Sequence, residues 1–510
     1  MRDRPFSKVL VANRGEIAVR VIRAAKELGM RVATIYSSAD SKSLHVLMAD
    51  EAYVVGGPEP RDSYLNMERI VSIAKKCGAE AVHPGYGFLS QVPEFAKMVS
   101  EEGIEFVGPP EPVQRVTGDK LGAKRLLSSA GVPVIPGTLD PVSSVDEAVE
   151  AADKVGYPVM LKPVLGGGGI GMRICWSEEE LVEAVESAMS LASSAFGRAE
   201  LYVERYFPKA KHIEVQILAD KHGNVVHLFE RECSIQRRFQ KLLEEAPSPS
   251  ISEEERERVT ELAIKVARAV KYVNAGTVEF LYVPDTGDFY FLEVNSRIQV
   301  EHPVTEMVTG VDIVEEQFWI AAGEELRVSQ GEVELRGHSI EVRINAEDPY
   351  NNFSPSPGLV TRYLPPGGFG VRVESGIYEG CEVPPYYDPL IVKLIAWGES
   401  RERAIARLSR ALDEFVIEGI RTNIPLHKLI LSDERFLDAT YTTKFIEERR
   451  VVERLAQFSH EPLRLPRAEA GAVTYVPQVS AWKVSGRLYG ETPIFRAGGV
   501  RRWGSLRSRG

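Results

Sequence analysis

Over the first 110 residues, short apolar runs alternate with segments whose apolar residues recur every three or four positions. Lys8–Ala12 is the first run and predicts a buried strand. Ile17, Val21, Ala24 and Leu28 follow at helical spacing, and Gly29 supplies a stop. Runs at Arg31–Tyr36, Tyr53–Val55, Ala79–His83 and Glu105–Val107 predict further strands, with helices between several of them. Strands alternating with helices predict an α/β fold, a doubly wound parallel sheet covered on both faces.

A second block opens at Thr117-Gly118-Asp119-Lys120, and its first helix stops at Ala130-Gly131-Val132-Pro133. Strands are predicted at Tyr157–Lys162 and Met172–Trp176, on either side of a glycine run, then at Leu201–Arg205, Ile213–Ala219 and Val225–Arg231. Glu253–Val273 predicts a helix with Val259, Leu262, Ala263, Val266 and Val270 on one face. A hairpin follows: Thr277–Val283, the turn Pro284-Asp285-Thr286-Gly287, and Asp288–Asn295. From about His338 a third, mixed α+β block sets strands and Pro-rich turns around the helix Arg401–Phe415.

Composition narrows the function. Of the 510 residues, 44% are apolar and 26% charged, ordinary globular values that exclude a disordered or fibrous chain. Net charge is −11, so nucleic acid is a poor partner; phosphate binding needs a basic face. No apolar run approaches the ~18 residues of a membrane span. The charged start, with no signal-peptide pattern, points to the cytoplasm. Cys77, Cys175, Cys233 and Cys381 are scattered, as expected of reduced, buried thiols. The stretch from Val451 to Gly510 differs in sign, with ten Lys/Arg against four Asp/Glu.

Three stretches can carry chemistry. The run Gly166-Gly167-Gly168-Gly169-Ile170-Gly171 lets backbone N–H groups approach a phosphate. No Gly-Lys-Ser/Thr follows it, and the next element reads as a strand, so it is neither a P-loop nor a dinucleotide loop. It is either a mobile surface hairpin or a flap over a nucleotide. Lys162, just before it, can reach a phosphate as a point charge. On the later hairpin, Glu279, Glu293 and Asn295 offer hard oxygen donors suited to Mg²⁺; the alternative is a pair of exposed cross-strand acids. Apolar neighbours suggest that the carboxylate is partly buried. If the chain stays extended beyond it, Arg297, Gln299 and Glu301 share an edge, where Arg297 can grip an oxyanion and Glu301 can act as a base. Third, Arg231–Lys241 alone reads as a basic surface strand. His83–Ser90 forms a Gly-rich turn where α/β folds place ligands. His83 or His212 alone reads as structural.

These stretches closely resemble the biotin carboxylase subunit of acetyl-CoA and propionyl-CoA carboxylases, in the ATP-grasp superfamily. The resemblance rests on VANRGEIAVR from Val11, HPGYGFLS from His83, GDKLGAK from Gly118, ERECSIQRR from Glu230 and EEAPSPS from Glu244. It continues with EVNSRIQVEHPVTEMVTG from Glu293, RINAEDP from Arg343 and EVPPYYDPLIVKLIAWG from Glu382, spanning roughly residues 5–447. It implies an N-terminal α/β domain (1–118), an ATP-grasp domain (119–325, lid about 138–207), a C-terminal domain (336–447) and a basic tail (451–510) open to assembly. It implies a ligase that uses MgATP and bicarbonate to carboxylate biotin held on a carrier protein. By matching position, Lys120, Lys162, Gly168, Gly169, Glu204, His212 and Gln236 would contact ATP, and Glu204, Arg205, Tyr206 and Phe207 would meet the adenine. Glu279, Glu293 and Asn295 would hold Mg²⁺ or Mn²⁺. Lys241, Arg297, Gln299 and Val300 would line the bicarbonate site, with Glu301 as base. Arg343 would stabilise the enolate-like biotin, and Tyr86 would lie near its ring.

The chain departs from the family at Ile170, where a cation is usual, at Pro163-Val164-Leu165, at Phe239, where His is usual, and at Gln91-Val92-Pro93. Each change removes a polar or charged group near the ATP or the lid. The metal, base and Arg343 positions are intact, so an active enzyme is expected. No Met-Lys dipeptide occurs, so the biotin-attachment motif is absent. A biotin carboxyl carrier protein and a carboxyltransferase are therefore expected as separate chains, around a homodimer of this subunit. The alternatives are a catalytically impaired scaffold and the corresponding component of a pyruvate carboxylase.

Overall fold

The computed structural model describes residues 3–164, 171–195, 201–458 and 463. The first apolar runs form a parallel five-stranded sheet ordered β3-β2-β1-β4-β5: β1 Lys8–Val11, β2 Arg31–Ser37, β3 Glu51–Gly56, β4 Ala81–His83 and β5 Glu105–Phe106. Alternation along β1 splits its side chains between two cores. Val9 and Val11 pack with Ile17, Val21 and Ile22 of the helix α1, Gly15–Glu27. Leu10 packs on the other face with Ile35, Ile70 and Val82. The sheet is doubly wound, as the periodicity predicts.

A small antiparallel sheet, β7-β6-β8, forms the next unit: β6 Val159–Pro163, β7 Arg173–Cys175 and β8 Leu201–Arg205. Val159, Leu161, Leu181, Val185 and Val203 fill its core. The glycine run from Gly166 to Ile170 lies outside the described residues.

The largest element is an eight-stranded sheet ordered β13-β12-β9-β10-β11-β14, then the strands Leu390–Gly398 and Val371–Ser375. Its labelled strands are β9 Lys211–Ala219, β10 Val225–Arg237, β11 Gln240–Ala246, β12 Asn274–Val283, β13 Asp288–Asn295 and β14 His338–Asn345. Every pairing in it is antiparallel. Ile213, Val215 and Ile217 of β9 face Val259, Ala263 and Val266 of the helix Glu253–Ala269. The C-terminal strands are covered by the helix Arg401–Glu414 through Ala404, Leu408, Ala411 and Leu412.

Four expectations need correction. The helix from Glu253 ends at Ala269, because Lys271 and Asn274 take positive φ and turn the chain into β12. β10 runs on to Arg237 because β11 pairs with it, so Arg231–Lys241 is no surface strand; Arg231 is fully buried. The chain bends after Asn295 instead of staying extended, and turns at Val300 and Glu301 into the helix His302–Thr309. Val451–Leu455 is a helix whose Val451 and Leu455 join the C-terminal core, so the tail cannot begin at 451. Of that tail, residues 459–462 and 464–510 lie outside the described residues. Among the described residues no helix is long and apolar enough to cross a membrane.

Candidate active site

The side of β9 away from its core carries His212, Glu214 and Gln216, alternating with the buried apolar set. β12 lies beside it and places Glu279 opposite Glu214, while β13 places Glu293 opposite Glu279. Three acids thus stand in one row across adjacent strands. Like charges so arranged are unfavourable without cations, and the fold supplies them.

Lys241, entering from β11, donates to all three surrounding carboxylates: Glu214 at 2.5 Å, Glu279 at 2.9 Å and Glu301 at 2.6 Å. Burial pulls the Lys241 ammonium down, but the three carboxylates outweigh it and hold it well above the usual lysine range. From the next strand, Arg343 donates Nη2 to Glu301 at 2.9 Å and Nε to Glu244 at 2.6 Å. Buried Arg231 completes the frame with Glu214 at 2.5 Å, Gln216 at 2.8 Å and Thr277 at 3.1 Å. Burial and the Glu214 charge push Glu301 up; Lys241, Arg343 and Arg231 outweigh them, so its carboxyl lies below the ordinary range. Glu301 is therefore an ionised, fully buried carboxylate between two cations, suited to accept a proton.

The bend after Asn295 still gathers the odd-numbered side chains. Arg297 donates to Asn295 Oδ1 at 3.0 Å, to Gln299 Oε1 at 2.7 Å and to Gln91 Oε1 at 2.8 Å. Gln91, one of the departures from the family pattern, thus lies against Arg297. Asn295 and Gln299 each donate to Glu279 Oε1, at 2.9 and 3.0 Å. His212 lies 3.3 Å from Glu279 Oε2 and 3.1 Å from the Gln236 amide. Burial lowers His212, yet the neighbouring carboxylates raise it to about 9.

The sequence predicts partial burial for the hairpin acids. Glu279 is buried, but Glu293, on the edge strand of the sheet, is exposed. Crowding by surrounding protein and the Glu279 charge push the Glu293 carboxyl up, against the pull of Lys120, Lys241 and Arg297. Glu279, Glu293 and Asn295 fit a hard divalent cation in donor type. Lys241 and His212 already neutralise Glu279, and Glu293 is the open ligand of the set.

A second cluster sits at the root of the small sheet. Buried Glu204 of β8 accepts from Lys124 at 2.6 Å and from Lys162 of β6. Burial raises Glu204, but the two lysine charges hold it below the ordinary range. Both ammonium groups lie 5.9 Å from the Tyr202 ring. Phe207 stacks on Tyr290 at 5.3 Å, and Tyr206 meets Trp176 edge-on. Arg205 donates to the Val155 carbonyl at 3.1 Å. Tyr86 and Val300 lie apart from these, against Lys393. Gly168 and Gly169 are outside the described residues.

Glu214, Arg231, Lys124 and Glu244 do not stand out in the sequence as site residues. For Glu214 a signal exists: polar residues at 212, 214 and 216 alternate with Ile213, Val215 and Ile217. Lys124 lies one turn from Lys120, within reach of the same cluster.

Three family models match in succession: "Biotin carboxylase, N-terminal domain" over residues 5–113, "Carbamoyl-phosphate synthase L chain, ATP binding domain" over 119–329, and "Biotin carboxylase C-terminal domain" over 341–448. A pyruvate carboxylase chain of Methanothermobacter thermautotrophicus is 54% identical over 445 residues, 87% of this chain and 90% of that one. The propionyl-CoA carboxylase alpha chain of Ruegeria pomeroyi is 44% identical over 504 residues, 95% of this chain and 74% of that one. Among solved structures, the biotin carboxylase domain dimer of Hydrogenobacter thermophilus 2-oxoglutarate carboxylase, with MgADP and bicarbonate, aligns with a TM-score of 0.84 at 52% identity. It covers 88% of this chain and 98% of that one.

Proposed function

The chain belongs to the biotin carboxylase family, and from that premise we propose how its residues divide the reaction. It is an ATP-dependent ligase that joins bicarbonate-derived carbon to the ureido nitrogen of biotin. ATP and Mg²⁺ are its cofactors, and Mn²⁺ is proposed as a substitute. The observation that carries the assignment of roles is Glu301, a buried carboxylate clamped by Lys241 and Arg343 beside Arg297.

Arg297 and Lys241 hold bicarbonate, with Gln299 and Val300 lining the place. Glu301 takes the bicarbonate proton, which turns a weak nucleophile into one able to attack the γ-phosphate of ATP. Glu279, Glu293 and Asn295 hold the metal ion, which spreads charge on the phosphates. Lys120, Lys162, His212 and Gln236 meet the nucleotide, with Glu204–Phe207 at the base; Gly168 and Gly169 are proposed as further ATP contacts. Lys162 must exchange part of its hold on Glu204 for a phosphate. The attack displaces ADP; the carboxyphosphate so formed passes its carboxyl carbon to biotin as its phosphate leaves and takes up the ureido proton, with Arg343 stabilising the enolate-like biotin beside Tyr86. The proposed divisions, 1–118, 119–325 with a lid about 138–207, and 336–447, follow this assignment of roles.

The acceptor complex is proposed as an acyl-CoA carboxylase acting on acetyl-CoA or propionyl-CoA. The longer match to the propionyl-CoA carboxylase alpha chain, 95% of this chain against 87% for the pyruvate carboxylase chain, supports it. The higher identity to the latter, 54% against 44%, favours a pyruvate carboxylase as second reading. A biotin carboxyl carrier protein, a carboxyltransferase and a second copy of the chain are the proposed partners, in the cytoplasm. ATP hydrolysis with free biotin decides first: turnover that requires bicarbonate is expected, and turnover indifferent to it would overturn the reading. Carboxylation of propionyl-CoA, acetyl-CoA or pyruvate by the natively purified complex then separates the acceptors.

A further inference from the structure

The turn Gln299–Glu301 carries the proposed base, and two buried side chains grip its backbone carbonyls, beside the local His302 N–H to Gln299 O bond at 3.4 Å. Lys393, on the strand Leu390–Gly398, is fully buried and donates Nζ to the Val300 carbonyl at 2.7 Å. His302, also fully buried, points Nδ1 at the Gln299 carbonyl at 2.8 Å. A carbonyl only accepts, so Nδ1 carries the proton. His302 Nε2 has no hydrogen-bond partner, and burial with the Lys393 charge holds the imidazole well below its usual range, in its neutral form.

Each carbonyl shares a peptide plane with the next residue's N–H. The Gln299 carbonyl belongs to the Val300 N–H, and the Val300 carbonyl to the Glu301 N–H. A donor on the carbonyl fixes the plane and polarises that N–H toward an anion. We infer that Lys393 and His302 are positioning residues that hold and polarise the Gln299–Glu301 turn for bicarbonate. This rests on the biotin carboxylase reading.

The bland alternative makes Lys393 a counterion. Glu16 and Glu341 are both buried beside it, and none of their four carboxyl oxygens has a hydrogen-bond partner. A lysine placed only to neutralise them would point at them. Lys393 does pair with Glu16, at 3.3 Å, but its shorter contact, 2.7 Å, is to the neutral Val300 carbonyl. Glu16 stands in the first turn of α1, and Gly376 passes so close that a Cβ there would meet Glu16 N at 2.7 Å. The arrangement fastens the turn to both the N-terminal domain and the C-terminal strands.

The test compares Michaelis constants for bicarbonate and for ATP in the full-length chain with free biotin. Lys393→Met is expected to raise the bicarbonate KM roughly tenfold or more, the weight of one charge-assisted hydrogen bond, with the ATP KM within about twofold. A folded K393M with an unchanged bicarbonate KM, or with both constants raised alike, would overturn the inference. His302→Asn and His302→Leu form a second pair, which decides if K393M does not fold. Asn keeps a donor near the Nδ1 position, so H302N should retain most bicarbonate affinity and H302L should lose it. Equal behaviour of the two would count against positioning. Wild-type turnover without bicarbonate dependence would defeat the functional reading itself, whereas a dependent wild type with unaltered variants defeats only this inference.

Discussion

Glu244 and Glu245 are neighbours on β11, equally buried, and they point to opposite faces of one sheet. Glu245 accepts from His338 at 2.6 Å, from Arg401 at 2.7 and 3.1 Å, and from Tyr441. Burial raises it, but these donors prevail and bring it down to about 2. Glu244 has Arg343 alone, leaves Oε2 unpartnered and faces the Glu301 charge. Burial pushes it up to about 7, with Arg343 opposing and Glu301 adding. The same side chain, one residue apart, is a saturated structural anchor on one face and an under-coordinated partner of a working arginine on the other. What differs is the number of donors, and each face takes its donors from distant parts of the chain.

The sharpest break is on the working face. Glu301→Gln should leave MgATP binding nearly intact and lower turnover ~10²–10⁴, the usual share of a general base; single-turnover assays beside calorimetry of MgATP check it. Equal activity would remove Glu301 from the chemistry.

On the structural face, Glu245→Gln should cost ~3–5 kcal/mol of stability, because Arg401 and His338 are left without their carboxylate. Denaturant titration measures it, and activity per folded molecule should hardly change. Loss of activity without loss of stability would erase the contrast between the faces.

Acid unfolding sharpens the same contrast. The folded Glu245 carboxyl lies below its ordinary value of 4.5, so its contribution is complete above that pH and fades as pH falls toward about 2. A shift of that size is worth about 3 kcal/mol. Thermal midpoints between those limits should fall steeply in the wild type and less steeply in E245Q.

Glu244→Gln should do the least to stability, within about 1 kcal/mol, since burial already pushes the Glu244 carboxyl up toward its neutral form. Its signature is kinetic: Arg343 loses one of its two anchors, and turnover should drop by roughly tenfold. Gln91→Glu is smaller still. A new charge beside Arg297 should weaken bicarbonate by a few-fold at most, read as its KM.

Alternation makes the hairpin acids legible in the sequence, since Glu279, Glu293 and Asn295 belong to strands whose apolar partners set the faces. The doubly wound sheet is legible for the same reason. Arg231 is not: a cation in a polar run reads as surface until Glu214, Gln216 and Thr277 arrive from other strands to bury it. Lys393, Glu16 and Glu341 are equally hidden, because Glu16 comes from the first block of the chain and Glu341 and Lys393 stand on separate strands some fifty residues apart. The extended edge beyond Asn295 fails because Pro303 and the helix it opens force a turn at Val300 and Glu301.

The eight-stranded sheet runs without interruption from the hairpin Asp288–Asn295 to the strands of the C-terminal block. Its backbone amides are shared across that boundary, since β11 pairs with β14 at Glu244 and Glu341. Deuterium exchange should therefore report one slow block spanning both halves, with no separate opening of the C-terminal half. The three strands β6–β8 have their own sheet and core, so their amides are free to exchange at their own rate. Motion during a turnover is therefore expected foremost in the small sheet, which shares no strand pairing with the bed beneath the reacting groups.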